Sequence, residues 1–101
     1  MNILWMPTAQ RRFVETADCP LREAGPANAA KWVEAVNRRV ALLKTNALIG
    51  RQVPEARRPE IRELIVLRHR IIYHADLAAN RCAILSIRHE RQKTTRSNFA
   101  K

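Results

Sequence analysis

The stretch "IRELIVLRHRIIYHAD", residues 61–76, decides the fold, because strand-forming apolar residues fill it on both sides of a short break. Val, Ile and Tyr favour strands, and a tight turn near Arg68-His69 would pair the two runs as an antiparallel hairpin. An ordinary surface strand needs few charges, whereas this stretch carries five basic or potentially basic side chains: Arg62, Arg68, His69, Arg70 and His74. The hairpin is therefore also the first candidate for a binding surface.

Strand alternation assigns these side chains to faces. Along 70–76, Arg70, Ile72, His74 and Asp76 share one face, and Ile71, Tyr73 and Ala75 share the other. Both faces are mainly apolar, so helices are expected to cover one face while the second remains open to a partner. Alternatively, the arginines extend their charged ends to water over an ordinary core.

The neighbouring segments supply the remaining elements. The run "RCAILSIRH", residues 81–89, adds a third strand and completes an antiparallel meander. Upstream, "NILW" at 2–5 predicts a first strand, and residues 8–17 predict a short helix that ends at Cys19-Pro20. After a break at Gly25-Pro26, the apolar period of residues 27–46 predicts a second helix, and residues 49–60 are expected to be irregular.

The predicted fold class is therefore α+β. An N-terminal strand and a helical hairpin pack on a small antiparallel sheet, in the order β-α-α-β-β-β. A chain of 101 residues is the size of one domain, which we assign to 1–92. Residues 93–101 are expected to form a basic, partly disordered tail.

The charge balance points to an anionic partner. The chain has 19 Lys and Arg against 9 Asp and Glu, a formal net charge of +10, and residues 51–101 carry most of the excess. Such a field attracts nucleic acid, a ribosome or an acidic protein. It is also compatible with a protein that uses net charge only to remain soluble.

Several classes of site are not expected. Cys19 and Cys82 lack the spacing of a metal or redox motif, so both are expected to be free thiols in a reducing cytoplasm. His69 and His74 would point to opposite sheet faces, and no familiar ligand spacing is present, so no metal is expected. Without a glycine-rich phosphate loop, no cofactor is expected, and without an apolar span no membrane association is expected.

The end of the third strand run, "IRHERQ" at 87–92, brings Arg88, His89 and Arg91 within a few residues. Such a cluster could hold a phosphate and, with His89 carrying a proton, assist RNA cleavage. It could equally serve as a basic docking surface for an acidic peptide.

Five pieces in order, "ILWMPTAQ", "GRQVPE", "IRELIV", "HRIIYH" and "ILSIRHERQ", resemble the RelE/ParE superfamily of toxins from type II toxin–antitoxin modules. The resemblance implies a cytoplasmic toxin whose sheet is covered by the acidic C-terminal segment of a cognate antitoxin. The antitoxin would in turn bring the complex to operator DNA.

The two branches of the superfamily imply different targets. In the RelE branch, which cleaves mRNA on the ribosome, Arg62, Arg70, His89 and Arg91 would be the catalytic set. The lysine-poor strand at 61–66 departs from that branch, and "GR-x-VPE" and "IRH-x-R" are closer to ParE, which inhibits DNA gyrase. The resemblance then implies no catalytic residue, and contacts to antitoxin or target by Arg62, Arg68, Arg70, Tyr73, Arg88, His89 and Arg91. A third interpretation is that the chain is a non-toxic member of the superfamily that only binds antitoxin and DNA.

Overall fold

The computed structural model describes residues 1–24 and 26–89, the side chains of 18–24 and 26–28 excepted. Two helices and a five-stranded sheet confirm the predicted α+β class. The elements follow the chain as β1 (Asn2–Trp5), α1 (Pro7–Ala24), α2 (Pro26–Ala41), a 3₁₀ turn (Leu42–Lys44), β2 (Arg51–Gln52), β3 (Ile61–Val66), β4 (His69–Asp76) and β5 (Arg81–His89).

The strands lie side by side in the order β1-β5-β4-β3-β2. Strands β3, β4 and β5 form the antiparallel meander that the alternation predicts. Strand β1 pairs parallel with β5, which makes the sheet mixed. Within the segment expected to be irregular, β2 pairs with β3 over only two residues, Arg51 and Gln52. Pro54, which follows closely, has no N–H to extend the ladder.

The predicted end of the first helix was wrong. The helical backbone does not stop at Cys19-Pro20 but continues to Ala24. Proline has a φ that a helix accepts, and its cost is the hydrogen bond that residue 20 cannot donate to the carbonyl of Thr16. Packing of α1 against α2 and β5 outweighs that cost, because an amphipathic helix gains most of its stability from its buried face.

The second helix begins as expected but ends earlier. Pro26 occupies the first helical position, where its missing N–H has no intrahelical partner to lose. The helix ends at Ala41 and tightens into the 3₁₀ turn, short of the predicted Asn46. Gly25, which was expected to separate the helices, lies outside the described residues.

The sheet buries apolar side chains on both faces. On the helix-covered face, Trp32, Val36 and Leu43 pack against Ile71 and Ile84 in the larger cluster. On the opposite face, residues 53–56 fold over a smaller cluster of Val53, Ile61, Ile72 and Leu85. The second face is thus partly covered by the chain itself.

A two-residue turn, Leu67-Arg68, joins β3 to β4, one position before the predicted site. Both residues have positive φ, 46° and 69°. This is the type I′ pattern, which suits the twist of a hairpin but favours Asn-Gly. A non-glycine residue in this region costs about 1–3 kcal/mol. The turn is therefore strained at two consecutive positions.

Two further predictions can be compared with the described residues. Cys82 is buried and forms no disulfide, whereas the side chain of Cys19 lies outside the described part. The predicted tail, 93–101, also lies outside it. Within the described ranges, no helix has the length and apolar character to cross a bilayer.

Candidate functional site

The most highly connected polar group of the sheet is Arg70 on β4. Its Nε and Nη2 donate to Oε2 of Glu63 on the adjacent strand β3, at 2.7 and 2.6 Å. Its Nη1 and Nη2 donate at 3.1 Å each to the two carboxylate oxygens of Glu55, in the loop after β2. The second pair has the parallel fork geometry in which an arginine binds a carboxylate or a phosphate.

Glu63 lies at the centre of this network, with no exposed side-chain surface. Its second oxygen, Oε1, accepts a 2.7 Å hydrogen bond from Nε of Arg51 on β2. Strand pairing brings these residues together, because Arg51 lies opposite Glu63 and Arg70 opposite Ile65. A buried carboxylate needs such partners, since an isolated buried charge is strongly unfavourable.

Electrostatics keep the network charged. Desolvation opposes the charge on Arg70, but the hydrogen bonds that its guanidinium donates to Glu55 and Glu63 outweigh this effect and raise the pKa of Arg70. The hydrogen bond from Arg70 in turn lowers the pKa of Glu55 below 4.5. The side chain of Arg70 is only 8% exposed, whereas Glu55 is 38% exposed. Of the members of the Arg70 fork, Glu55 is therefore the one that solvent or a ligand can reach.

An open cleft of about 430 Å³ adjoins the network and is lined by Arg51, Glu55, Ile65 and Arg70. Ile65 contributes an exposed apolar side chain, and the side chain of Arg51 is largely exposed beside it. This surface, which we call the charged cleft, combines an apolar wall with cationic groups. It can bind a peptide that carries carboxylates and an apolar side chain.

The other sequence-predicted residues lie elsewhere. Nη1 of Arg62 donates to the carbonyls of Gly50 at 2.8 Å and Leu48 at 3.3 Å, so Arg62 fastens the loop before β2. The hydroxyl of the fully buried Tyr73 donates to the carbonyl of Ala47 and accepts from the N–H of Gly50. Both residues stabilise the segment 47–50 against the sheet.

His69 and His89 face each other across β4 and β5, with ring centroids 5.2 Å apart. The ring of His69 meets Trp32 of α2 edge-on at 5.3 Å, and Trp32 continues the contact to Phe13 and Trp5. The histidines therefore lie on the helix-covered side of the sheet. No group of three or more potential metal ligands occurs among residues 1–24 and 26–89.

Arg88 lies opposite Arg70 in the β4–β5 register, and the next pair along is His69 and His89. Since adjacent residues of a strand point to opposite faces, Arg70 and His89 lie on different faces of the sheet. Burial lowers the pKa of Arg88, and the charge of Arg12 acts in the same direction. Arg91 lies outside the described residues, and Arg68 occupies the exposed hairpin turn.

Sequence reasoning overlooked the carboxylate partners of Arg70. Glu55 and Glu63 were not among the candidate residues, although Glu63 occupies a central position of a strand that is otherwise apolar. A carboxylate at such a position signals a buried cation in reach. The distant partner, Glu55, is fifteen residues from Arg70 along the chain, and only the course of the loop brings the two together.

The fold has a counterpart among solved structures. The structure matches a chain of the chromosomal ParDE toxin–antitoxin system from P. aeruginosa with a TM-score of 0.72 and 22% sequence identity, covering 88% of this chain and 95% of that one. None of the curated proteins compared with the chain matches it.

The family of the chain is identified by comparing its sequence with models of protein families. A family model described as "ParE toxin of type II toxin-antitoxin system, parDE" matches residues 3–94, nearly the whole chain. The protein therefore belongs to the ParE toxin family, and the predicted membership of the RelE/ParE superfamily on its ParE side is confirmed.

Proposed function

We propose that this ParE-family toxin inhibits DNA gyrase by binding it, and that a cognate antitoxin with an acidic segment neutralises it. The observation that carries the proposal is the internal pairing of Arg70. Its guanidinium is 8% exposed and is held by two carboxylates of its own chain, on the face opposite His89.

This arrangement disfavours the alternative, ribosome-dependent mRNA cleavage. RNA cleavage needs a cationic group and a proton-transferring group within reach of one phosphate. Arg70 and His89 point to opposite sides of the sheet, and the fork of Arg70 that a phosphate would use is already bound to Glu55. Inhibition by binding does not require Arg70 and His89 to reach one phosphate, and it does not require the guanidinium of Arg70 to be available to a ligand.

The charged cleft supports the antitoxin as a partner. It places the exposed Ile65 beside the guanidinium of Arg51, and the whole chain carries a net charge of +10. An acidic segment that also carries apolar residues would gain attraction and apolar burial at once. A segment that orders only on binding could follow the open side of the sheet and cover the cleft. Operator DNA would then be reached through the antitoxin.

The direct test combines purified toxin, DNA gyrase, ATP and supercoiled plasmid, followed by detergent and protease. The proposal predicts linear DNA that increases with toxin concentration and disappears when antitoxin is added first. A parallel reaction with programmed ribosomes and labelled mRNA tests the alternative. Site-specific mRNA cleavage without linear DNA would contradict the proposal.

A further inference from the structure

The β3–β4 turn has a sequence that its conformation does not favour. Leu67 and Arg68 both have positive φ in a two-residue loop, where Asn-Gly would be unstrained. The strain is not offset by contacts of the turn side chains. Leu67 is 58% exposed, and no hydrogen bond or ion pair to the Arg68 side chain occurs among residues 1–24 and 26–89.

The base of the turn, in contrast, is firmly held. Nδ1 of His69 lies 3.0 Å from the carbonyl oxygen of Leu67, and the His69 ring packs against Trp32. Nη1 of Arg39 on α2 donates to the carbonyl of Ile65 at 3.4 Å. Directly behind the turn, the Arg70–Glu63 pair links β4 to β3. These contacts order the base of the turn, which lowers the entropy cost of binding a partner at its tip.

Resting on the function proposed above, we infer that Leu67 and Arg68 form the contact by which the toxin engages its target. Strained, exposed residues on a rigid support are typical of binding elements. A protruding turn offers one apolar and one cationic side chain on a convex surface. It fits a folded protein with an apolar pocket and carboxylates at the rim of that pocket.

The convex shape distinguishes the target from the antitoxin. An extended acidic segment supplies side chains to a groove, such as the charged cleft, but has no pocket that could receive a turn. A large folded protein does have such pockets. The hairpin tip and the charged cleft would thus serve different partners, although Ile65 lies close to both.

The test replaces the turn with the sequence that its conformation favours. In L67N/R68G, the strain is relieved and both exposed side chains are removed. The inference predicts that Tm rises by several degrees and antitoxin affinity stays within about twofold. The toxin concentration that gives half-maximal linear DNA with gyrase should rise at least about tenfold. A stability gain with a loss of action cannot come from misfolding.

Two further variants complete the test. R68E keeps a non-glycine turn and reverses its charge, and it should also weaken action on the target. L77N removes an equally exposed leucine, 59% accessible, from the loop at the other end of β4, and it should behave as wild type.

Undiminished poisoning by L67N/R68G, or loss of antitoxin binding alone, would overturn the inference while the gyrase proposal stands. Wild-type toxin that yields no linear DNA would refute the gyrase proposal itself. In that event, the inference is tested by the growth arrest that each toxin causes when it is expressed in cells. Equal arrest by wild type and L67N/R68G would overturn the inference.

Discussion

The guanidinium of Arg70 and the carboxylate of Glu63 form an ion pair between neighbouring strands, with contacts of 2.6 and 2.7 Å and almost no exposed surface. Its position in the sheet explains how a strand with basic residues can lie in a core. The charge of Arg70 is compensated inside the protein rather than offered to a ligand. A residue that resembles a catalytic arginine thereby holds the sheet together.

Removing the carboxylate at the centre of this network should be severe. In Glu63→Ala, Arg51 and Arg70 both lose their ion pair with Glu63, so the nearly buried guanidinium of Arg70 loses a fully buried carboxylate partner. We expect the free energy of unfolding to fall by about 3–5 kcal/mol. Urea denaturation followed by circular dichroism measures it. Glu34→Ala, which breaks an exposed pair with Arg38 on α2, is the matched control and should cost about 0–1 kcal/mol. Equal, small losses in the two variants would contradict the structural role of Glu63.

The hydroxyl of Tyr73 should be important for stability rather than for binding. In Tyr73→Phe, the N–H of Gly50 and the carbonyl of Ala47 both lose a buried partner. The expected loss is about 1–3 kcal/mol of unfolding free energy, with unchanged affinity of the folded fraction for antitoxin. Calorimetry and a binding titration measure the two quantities. A stable variant that no longer binds antitoxin would show that Tyr73 is a contact residue.

Gly50 should tolerate no side chain. A Cβ at this position would lie 2.5 Å from the carbonyl oxygen of Glu63 and 2.7 Å from the hydroxyl of Tyr73. Neither the backbone at Glu63 nor the buried ring of Tyr73 can move away easily, so Gly50→Ala should lower the unfolding free energy by about 1–3 kcal/mol through overpacking. Thermal unfolding provides the measurement. A Tm equal to that of wild type would mean that β2 shifts freely on β3.

Stability should depend on pH through Glu55. Because the hydrogen bond from Arg70 lowers the pKa of Glu55 below 4.5 in the folded state, its contribution is present above about pH 4.5 and is lost as the pH falls through the folded value. Glu60, whose pKa is lowered by its own backbone N–H and by Arg58, acts with the same sign. Glu55→Gln should therefore flatten part of the fall in unfolding free energy between about pH 5 and pH 3. An unchanged pH profile would indicate that the Arg70–Glu55 fork is not formed in solution.

The sequence predicts the parts of this fold that local patterns control. Alternation in 61–76 and 81–89 identifies three strands, and the apolar period after Pro26 identifies α2. Pro20 misleads, because a single lost hydrogen bond is weaker than the tertiary packing of α1. The parallel pairing of β1 with β5 joins residues about eighty positions apart, and no local pattern encodes it.

The candidate site is harder to predict for the same reason. The basic residues of the hairpin are visible in the sequence, but whether each is exposed depends on partners that the fold supplies. Glu55 reaches Arg70 only because the loop after β2 turns back over the sheet. His89 follows Arg88, which is the β5 partner of Arg70, and therefore points to the opposite face of the sheet. The residue types alone therefore suggest that Arg70 and His89 belong to one catalytic set, whereas the strand register places them on opposite faces of the sheet.

The most direct test of this account is the action of Arg70→Lys on gyrase, measured as linear DNA formed per folded toxin molecule. Lysine keeps the charge but cannot reproduce the fork to Glu55 and Glu63. We predict a less stable protein whose folded molecules poison gyrase as wild type does, within about twofold. A folded variant that has lost activity by about a hundredfold or more, as loss of a transition-state contact would cause, would contradict it.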